Sequence, residues 1–150
     1  MDISNINWLA VFVASLSSFA IGAIWFGPKT FYPTWIKAQG REVPTERIEM
    51  SGGETALMFG GTYVAALVQV ATLAIIIELA RAASITVDWS TGAVIGFAFS
   101  VGLGAFGSLS HRMFGQADHK VYRSIKVWLI EVGQDVLAVT VAGIILGAWF

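Results

Sequence analysis

Glu131 and Asp135 stand four residues apart inside a segment that is otherwise soluble in lipid. At helical spacing the two carboxylates stack on one face, and Gln134 lies beside them. A charged side chain at the bilayer centre costs roughly 2.5 to 3.5 kcal/mol on the insertion scale, so this face is expected to turn toward protein or water. Two chemistries fit it. Hydrated, the acids form a site for a proton or a cation. Paired with a base, they form a salt bridge or hydrogen-bond network that joins helices. In a dry site at most one of the two is expected to be ionised, because each carboxylate opposes charge on the other. Arg112, Arg123 and Lys126 are the candidate basic partners. Gln69 is the strongly polar residue inside the second apolar stretch, where the bland role is an interhelical hydrogen bond of about 0.6 kcal/mol and the sharper one is ligand contact.

Other chemistry is poorly supported. The chain has no cysteine, which removes disulfides, thiolate metal sites and cysteine nucleophiles. His111 and His119 are eight apart and so lack the i, i+4 geometry of a zinc-binding helix. No nucleophile elbow, phosphate-binding glycine loop or serine-histidine-acid arrangement is present, and the expectation is a protein that is not an enzyme and holds no metal or cofactor. A net charge of −1 without a lysine or arginine run argues against a nucleic-acid partner.

The elements that must position the acids are membrane spans. With 56% hydrophobic and 13% charged residues and a mean hydropathy of +0.72, the chain is too apolar for a soluble domain. Its periodicity and length predict an all-α integral membrane four-helix bundle, a single domain with spans at about 6–26, 55–77, 89–110 and 125–150. Gly27-Pro28 ends the first span. An aromatic segment with Phe31, Tyr32 and Trp35 then lies at the interface between the first two spans. Ser51 and Glu54 have capping-box spacing before the second span, and Asp88 and Asp118 are expected to cap the third and fourth. In the third, Gly92, Gly96, Ser100, Gly104 and Ser108 are small at every fourth position, a face that lets a neighbouring helix approach to backbone contact. Ala10, Ala14, Ser18 and Gly22 form a similar stripe in the first span, which hints at two related halves.

Charge orients the bundle. Lys29, Lys37, Arg41, Arg47, Arg112, Lys120, Arg123 and Lys126 fall on one side and Arg81 on the other, so the connections 27–54 and 111–124 are expected in the cytoplasm and both termini outside. Trp25, Trp35 and Trp128 then mark the inner interface, and Trp8, Trp89 and Trp149 the outer one. In this register Glu131 lies roughly 4 to 5 Å inside the inner aromatic belt and Asp135 roughly 10 Å inside it.

Several stretches carry a family likeness: Ile6-Asn7-Trp8-Leu9-Ala10, Gly22-Ala23-Ile24-Trp25-Phe26-Gly27-Pro28 with Phe31 and Trp35, Trp128-Leu129-Ile130 with Gly133, and Gly143-Ile144-Ile145-Leu146. In these the chain resembles a bacterial family of four-helix membrane proteins, domain-of-unknown-function family 1761. The resemblance implies one four-span domain and a bacterial inner membrane, and brings no activity, substrate or catalytic residue. The residues themselves point to an oligomeric proton- or cation-coupled transporter or channel subunit using the acids of the last span. The competing expectation is an accessory or structural subunit that packs against partner membrane proteins.

Overall fold

The computed structural model describes residues 3–46, 49–114 and 120–149. Arg47, Asp118 and His119, named above, and the last residue of the fourth expected span, Phe150, lie outside them. A short 3-10 turn, Ile3–Asn5, precedes α1 (Trp8–Trp25). The interfacial α2 (Tyr32–Ala38) follows, then α3 (Gly52–Ala82), α4 (Trp89–Phe99), a π-helical segment (Ser100–Ala105), α5 (Phe106–Phe114) and α6 (Val121–Ala148). The stretch from α4 through α5 is one continuous rod, Trp89–Phe114, so four helices are long and apolar enough to cross a membrane.

Local sequence explains where the rods start. The Asn7 side chain accepts the Ala10 N–H at 3.1 Å and begins α1. Ser51 and Glu54 form a reciprocal capping box, with bonds of 3.2 and 2.9 Å, so α3 begins at Gly52, a little before the apolar run. Asp88 accepts the Thr91 N–H and the Ser90 hydroxyl, both at 2.8 Å, and opens α4. These two donors hold the Asp88 carboxyl at about 2, well below the ordinary aspartate value.

Where the rods stop is equally local. The second span continues past 77 to Ala82, because Glu78 and Arg81 remain helical and only the turn after them breaks the repeat. There the Ile85 N–H bonds the Ala80 carbonyl at 3.0 Å and the Ser84 N–H bonds Arg81 at 2.8 Å, a Schellman closure that puts Ser84 at φ 64°. The same closure ends α2, with Gly40 at φ 77°. The positive φ is what calls for glycine here; a Cβ would also lie 2.6 Å from the Arg123 guanidinium, the movable end of a flexible side chain.

Packing is organised on α6. Gly92 of α4 lies against Gly143 and Gly147, and Gly96 lies against Val139 and Thr140, so two backbones touch where side chains would normally stand. On its other flank α6 meets α1: Ser18 donates to the Ala138 carbonyl at 3.3 Å, and Trp25 Nε1 donates to the Ile130 carbonyl at 3.0 Å. The apolar core joins Ala10, Val11 and Ala14 of α1 to Val70, Leu73, Ala74 and Ile77 of α3 and to Val139, Ala142 and Leu146 of α6. It occupies the half of the bundle nearer the chain termini. Toward the other end α3 leaves the bundle beyond Tyr63, which still touches Ser15 and stacks edge-on with Phe19, and Leu57 is 78% exposed.

The small-residue stripe of the third span changes register inside the π-helical segment. Gly92, Gly96 and Ser100 are buried, but a Cβ on Gly104 would meet nothing, and the next buried position is Ala105. An i→i+5 turn, here closed by the Phe106 N–H on the Val101 carbonyl, adds one residue to the repeat and moves the contact face from the fourth residue to the fifth.

Three outcomes test this account in detergent melts. Gly92→Val forces α4 from α6 and should cost about 3 kcal/mol or more by overpacking, whereas Gly104→Ala should leave the melting temperature unchanged. Ser84→Gly should stabilise by up to about 1 kcal/mol, because it relieves a left-handed residue carrying a Cβ. Asp88 is a group whose folded value is depressed, so its capping contribution is complete above the ordinary aspartate value and lost as pH falls through about 2. The melting-temperature advantage of wild type over Asp88→Leu should therefore be constant from neutral pH to about pH 5, shrink as pH falls further, and be gone only below about pH 2.

Candidate functional site

The α1 exit builds the site's floor. Thr30 Oγ1 donates to the Trp25 carbonyl at 2.7 Å and the Phe31 N–H to the same oxygen at 3.0 Å, which closes α1 and turns the chain back on itself. Phe31 then stacks on Trp25 with centroids 4.3 Å apart, and Pro33 sits in the first turn of α2, where a missing N–H costs nothing. The folded-back α2 presents Trp35 to α6. Trp25 itself crosses Gly133, where a Cβ would come within 3.0 Å of the indole.

Glu131 is held from two sides. Its Oε1 accepts Trp35 Nε1 at 2.9 Å, and its Oε2 pairs with the Arg112 guanidinium at 2.7 Å. One carboxylate thus ties α2 and α5 to α6. The Arg112 side chain is 44% exposed and that of Glu131 19%, so the pair sits at the edge of solvent or headgroups. Of the three candidate bases Arg112 makes the bond, while Arg123 lies against Gly40.

Asp135 is one turn further along α6 and half-buried. Among the described residues no hydrogen bond or ion pair reaches its carboxylate, and the charged group that acts on it is Glu131. The antiparallel register that sets Gly96 on Val139 brings Ser100, at the start of the π-helical segment, level with Asp135. Ser100 spends its hydroxyl proton on the Phe97 carbonyl at 2.9 Å. Gln134 lies beside Gly22 of α1, with its amide nitrogen 3.5 Å from where a Cβ would stand. Gln69 is half-buried on α3, next to Val70 of the core, and forms no hydrogen bond to the acids of α6. The structure therefore groups Glu131, Gln134 and Asp135 on one stretch of α6 and leaves Gln69 apart. Among the described residues no group of three His, Asp or Glu side chains has metal-binding geometry.

Two participants are not apparent in sequence. Trp35 reads as an interfacial aromatic, and its donor role appears only when α2 folds back. Glu78 reads as a charge at the membrane edge but is 8% exposed. Its place beside Asn7 depends on how α1 and α3 cross, which no local pattern encodes.

A family model described as "Protein of unknown function (DUF1761)" matches residues 9–147. No curated protein and no solved structure matches the chain.

The Glu131 clasp makes a quantitative expectation. In a double-mutant cycle of Arg112→Leu and Glu131→Gln, the coupling should be about 0.5 to 1 kcal/mol, held down by the exposure of Arg112. Additive losses in thermal melts would show that the pair does not hold the helices.

Proposed function

The chain belongs to the DUF1761 family of proteins of unknown function, and on that premise we propose that this member is a proton- or cation-coupled transporter or channel subunit with Asp135 as the coupling carboxylate. The observation that carries the reading is a carboxylate within a membrane-spanning helix that has no hydrogen-bonding or ionic partner among the described residues. Such a group is costly in a bilayer, and intramembrane acids of this kind are common hardware for proton and ion pathways. Glu131, one turn nearer the basic end of the bundle, is engaged by Arg112 and Trp35 and serves as the latch beside the coupling group. Gln134 supplies an amide at the same level. Four spans enclose little volume, so the working unit is an oligomer with this stretch of α6 at its interface or pathway. In this reading that end faces the cytoplasm of an inner membrane and both termini lie outside, which the excess of basic residues in the connections supports.

A second reading has its own support. Residues 52–62 of α3 stand clear of the bundle, with Leu57, Met58 and Phe59 exposed and nothing within reach of a Cβ on Gly60 or Gly61. An accessory subunit docking on a partner membrane protein would use such a face.

Reconstituted into proteoliposomes, the wild type should show pH-dependent cation flux. Asp135→Asn should abolish it while expression and folding persist, and unchanged flux rules the coupling role out. Purification in mild detergent separates the two readings: a uniform homo-oligomer accords with transport, and a persistent stoichiometric partner accords with the accessory role.

A further inference from the structure

The third span carries two packing faces, and the structure uses one of them. Up to Phe99 the rod is α-helical, and Gly92 and Gly96 lie in backbone contact with α6. The π-helical segment Ser100–Ala105 follows, in which the Phe106 N–H reaches the Val101 carbonyl. One extra residue in a turn rotates everything after it by about 100° relative to an unbroken α-helix. Ala105, 3% exposed, therefore packs inward, while a Cβ on Gly102, Gly104 or Gly107 would meet nothing within 4 Å among the described residues. Two side chains fasten this register from outside the rod. Trp128 Nε1 donates to the Ala105 carbonyl at 3.0 Å, and the Arg112 guanidinium pairs with Glu131 at 2.7 Å.

Without the extra residue, each residue beyond the segment takes the place now held by its successor. Gly104 would replace Ala105 and extend the seam of Gly92, Gly96 and Ser100 by one more backbone approach, at the level of Glu131. His111 would replace Arg112. An imidazole N–H can donate to the Glu131 carboxylate from there, and Arg112 would move to the position of Met113, about 100° round the rod. Both registers thus have a small residue for the seam and a nitrogen donor for the acid. The α-helical register regains the ordinary backbone bonding that a π turn gives up, and loses the indole and guanidinium bonds. Glycine at 102, 104 and 107 leaves the backbone without side chains that would oppose the change. We propose that the third span is a register switch: its half from Ser100 to Phe114 passes between the π-helical form, in which Arg112 clasps Glu131, and a continuous α-helix in which His111 stands there instead. The switch concerns one rod and is independent of the transport reading.

The test is the separation between two nitroxide labels on that rod, measured by pulsed electron paramagnetic resonance on the full chain in detergent micelles. The chain has no cysteine of its own. Val94→Cys and Ser110→Cys place the labels at exposed positions on either side of the segment. In the π-helical form they lie about 60° apart around the axis and in the α-helical form about 160°, so the switch should lengthen the separation by about 5 Å. Wild type should show the shorter separation as its main population. His111→Arg combined with Arg112→His moves the guanidinium to the other register and should make the longer separation dominant. Trp128→Phe, which removes the bond to Ala105 and leaves the clasp in place, should raise the longer population severalfold. Deleting Gly102 takes out the extra residue and should restore the shorter separation alone in both variants. A longer population that appears in either variant and vanishes with Gly102 supports the switch. One unchanged separation in wild type and both variants overturns it, as does a lengthening that survives the deletion. If the exchanged chain does not fold, Trp128→Phe decides alone.

Discussion

Backbone contact between α4 and α6 is the constraint on which the remaining geometry depends. Within a bilayer, lipid tails are as apolar as leucine, so helices gain little by hiding apolar surface and are held by dispersion and hydrogen bonds that require close approach. Gly92, Gly96, Gly143 and Gly147 supply that approach, each with a neighbouring backbone where its own Cβ would stand. Once α6 is pinned along this seam, its opposite flank is committed to α1 through Ser18, Gly22 and Trp25. The rotation of α6 about its axis is then fixed. Glu131 faces the folded-back α2, and Asp135 stays inside the protein's half-buried zone.

Polar groups follow the same economy at the two ends of the bundle. At the basic end, indole N–H groups are directed at α6 or its neighbour: Trp25 to the Ile130 carbonyl, Trp35 to Glu131, and Trp128 to the Ala105 carbonyl at 3.0 Å. Tryptophan suits this role because it offers a donor on an apolar body that can rest at an interface. At the other end Asn7, Glu78 and Arg81 line a small void. Between them lies the apolar core of Val70, Leu73, Val139 and Ala142, which separates that void from the level of Asp135.

How much of this could be read from the residues alone depends on the range of the interaction. Four long apolar helices, the capping box at Ser51 and Glu54, the Asp88 cap and the close approach at Gly92 and Gly96 are local patterns, and the structure has each of them, although the second span runs beyond 55–77 at both ends. The fourfold stripe is legible only as far as Ser100, because a π turn leaves no signature in a run of small residues. The grouping of Glu131 with Gln134 and Asp135 follows from one helix. The bond from Trp35 to Glu131 crosses 96 residues and needs the α1 exit to fold back, so sequence restricts the partner of Glu131 to a short set of bases and says nothing of the indole. Glu78 is the converse case: its position just past residue 77 puts it at the interface end of the second span, and only the packing of α1 on α3 buries it.

The length of α3 carries a mechanical consequence. Thirty-one residues make a rod of about 46 Å, against a hydrocarbon layer of about 30 Å. A rod longer than the layer it crosses leans or projects, and α3 is held to the bundle mainly by its second half, around Leu73 and Ile77. It is thus a lever with its fulcrum near one membrane face and its free arm at the other. The mismatch of length therefore falls on the weakly held first half of α3 rather than on the glycine seam of α4 and α6, where backbones are already in contact.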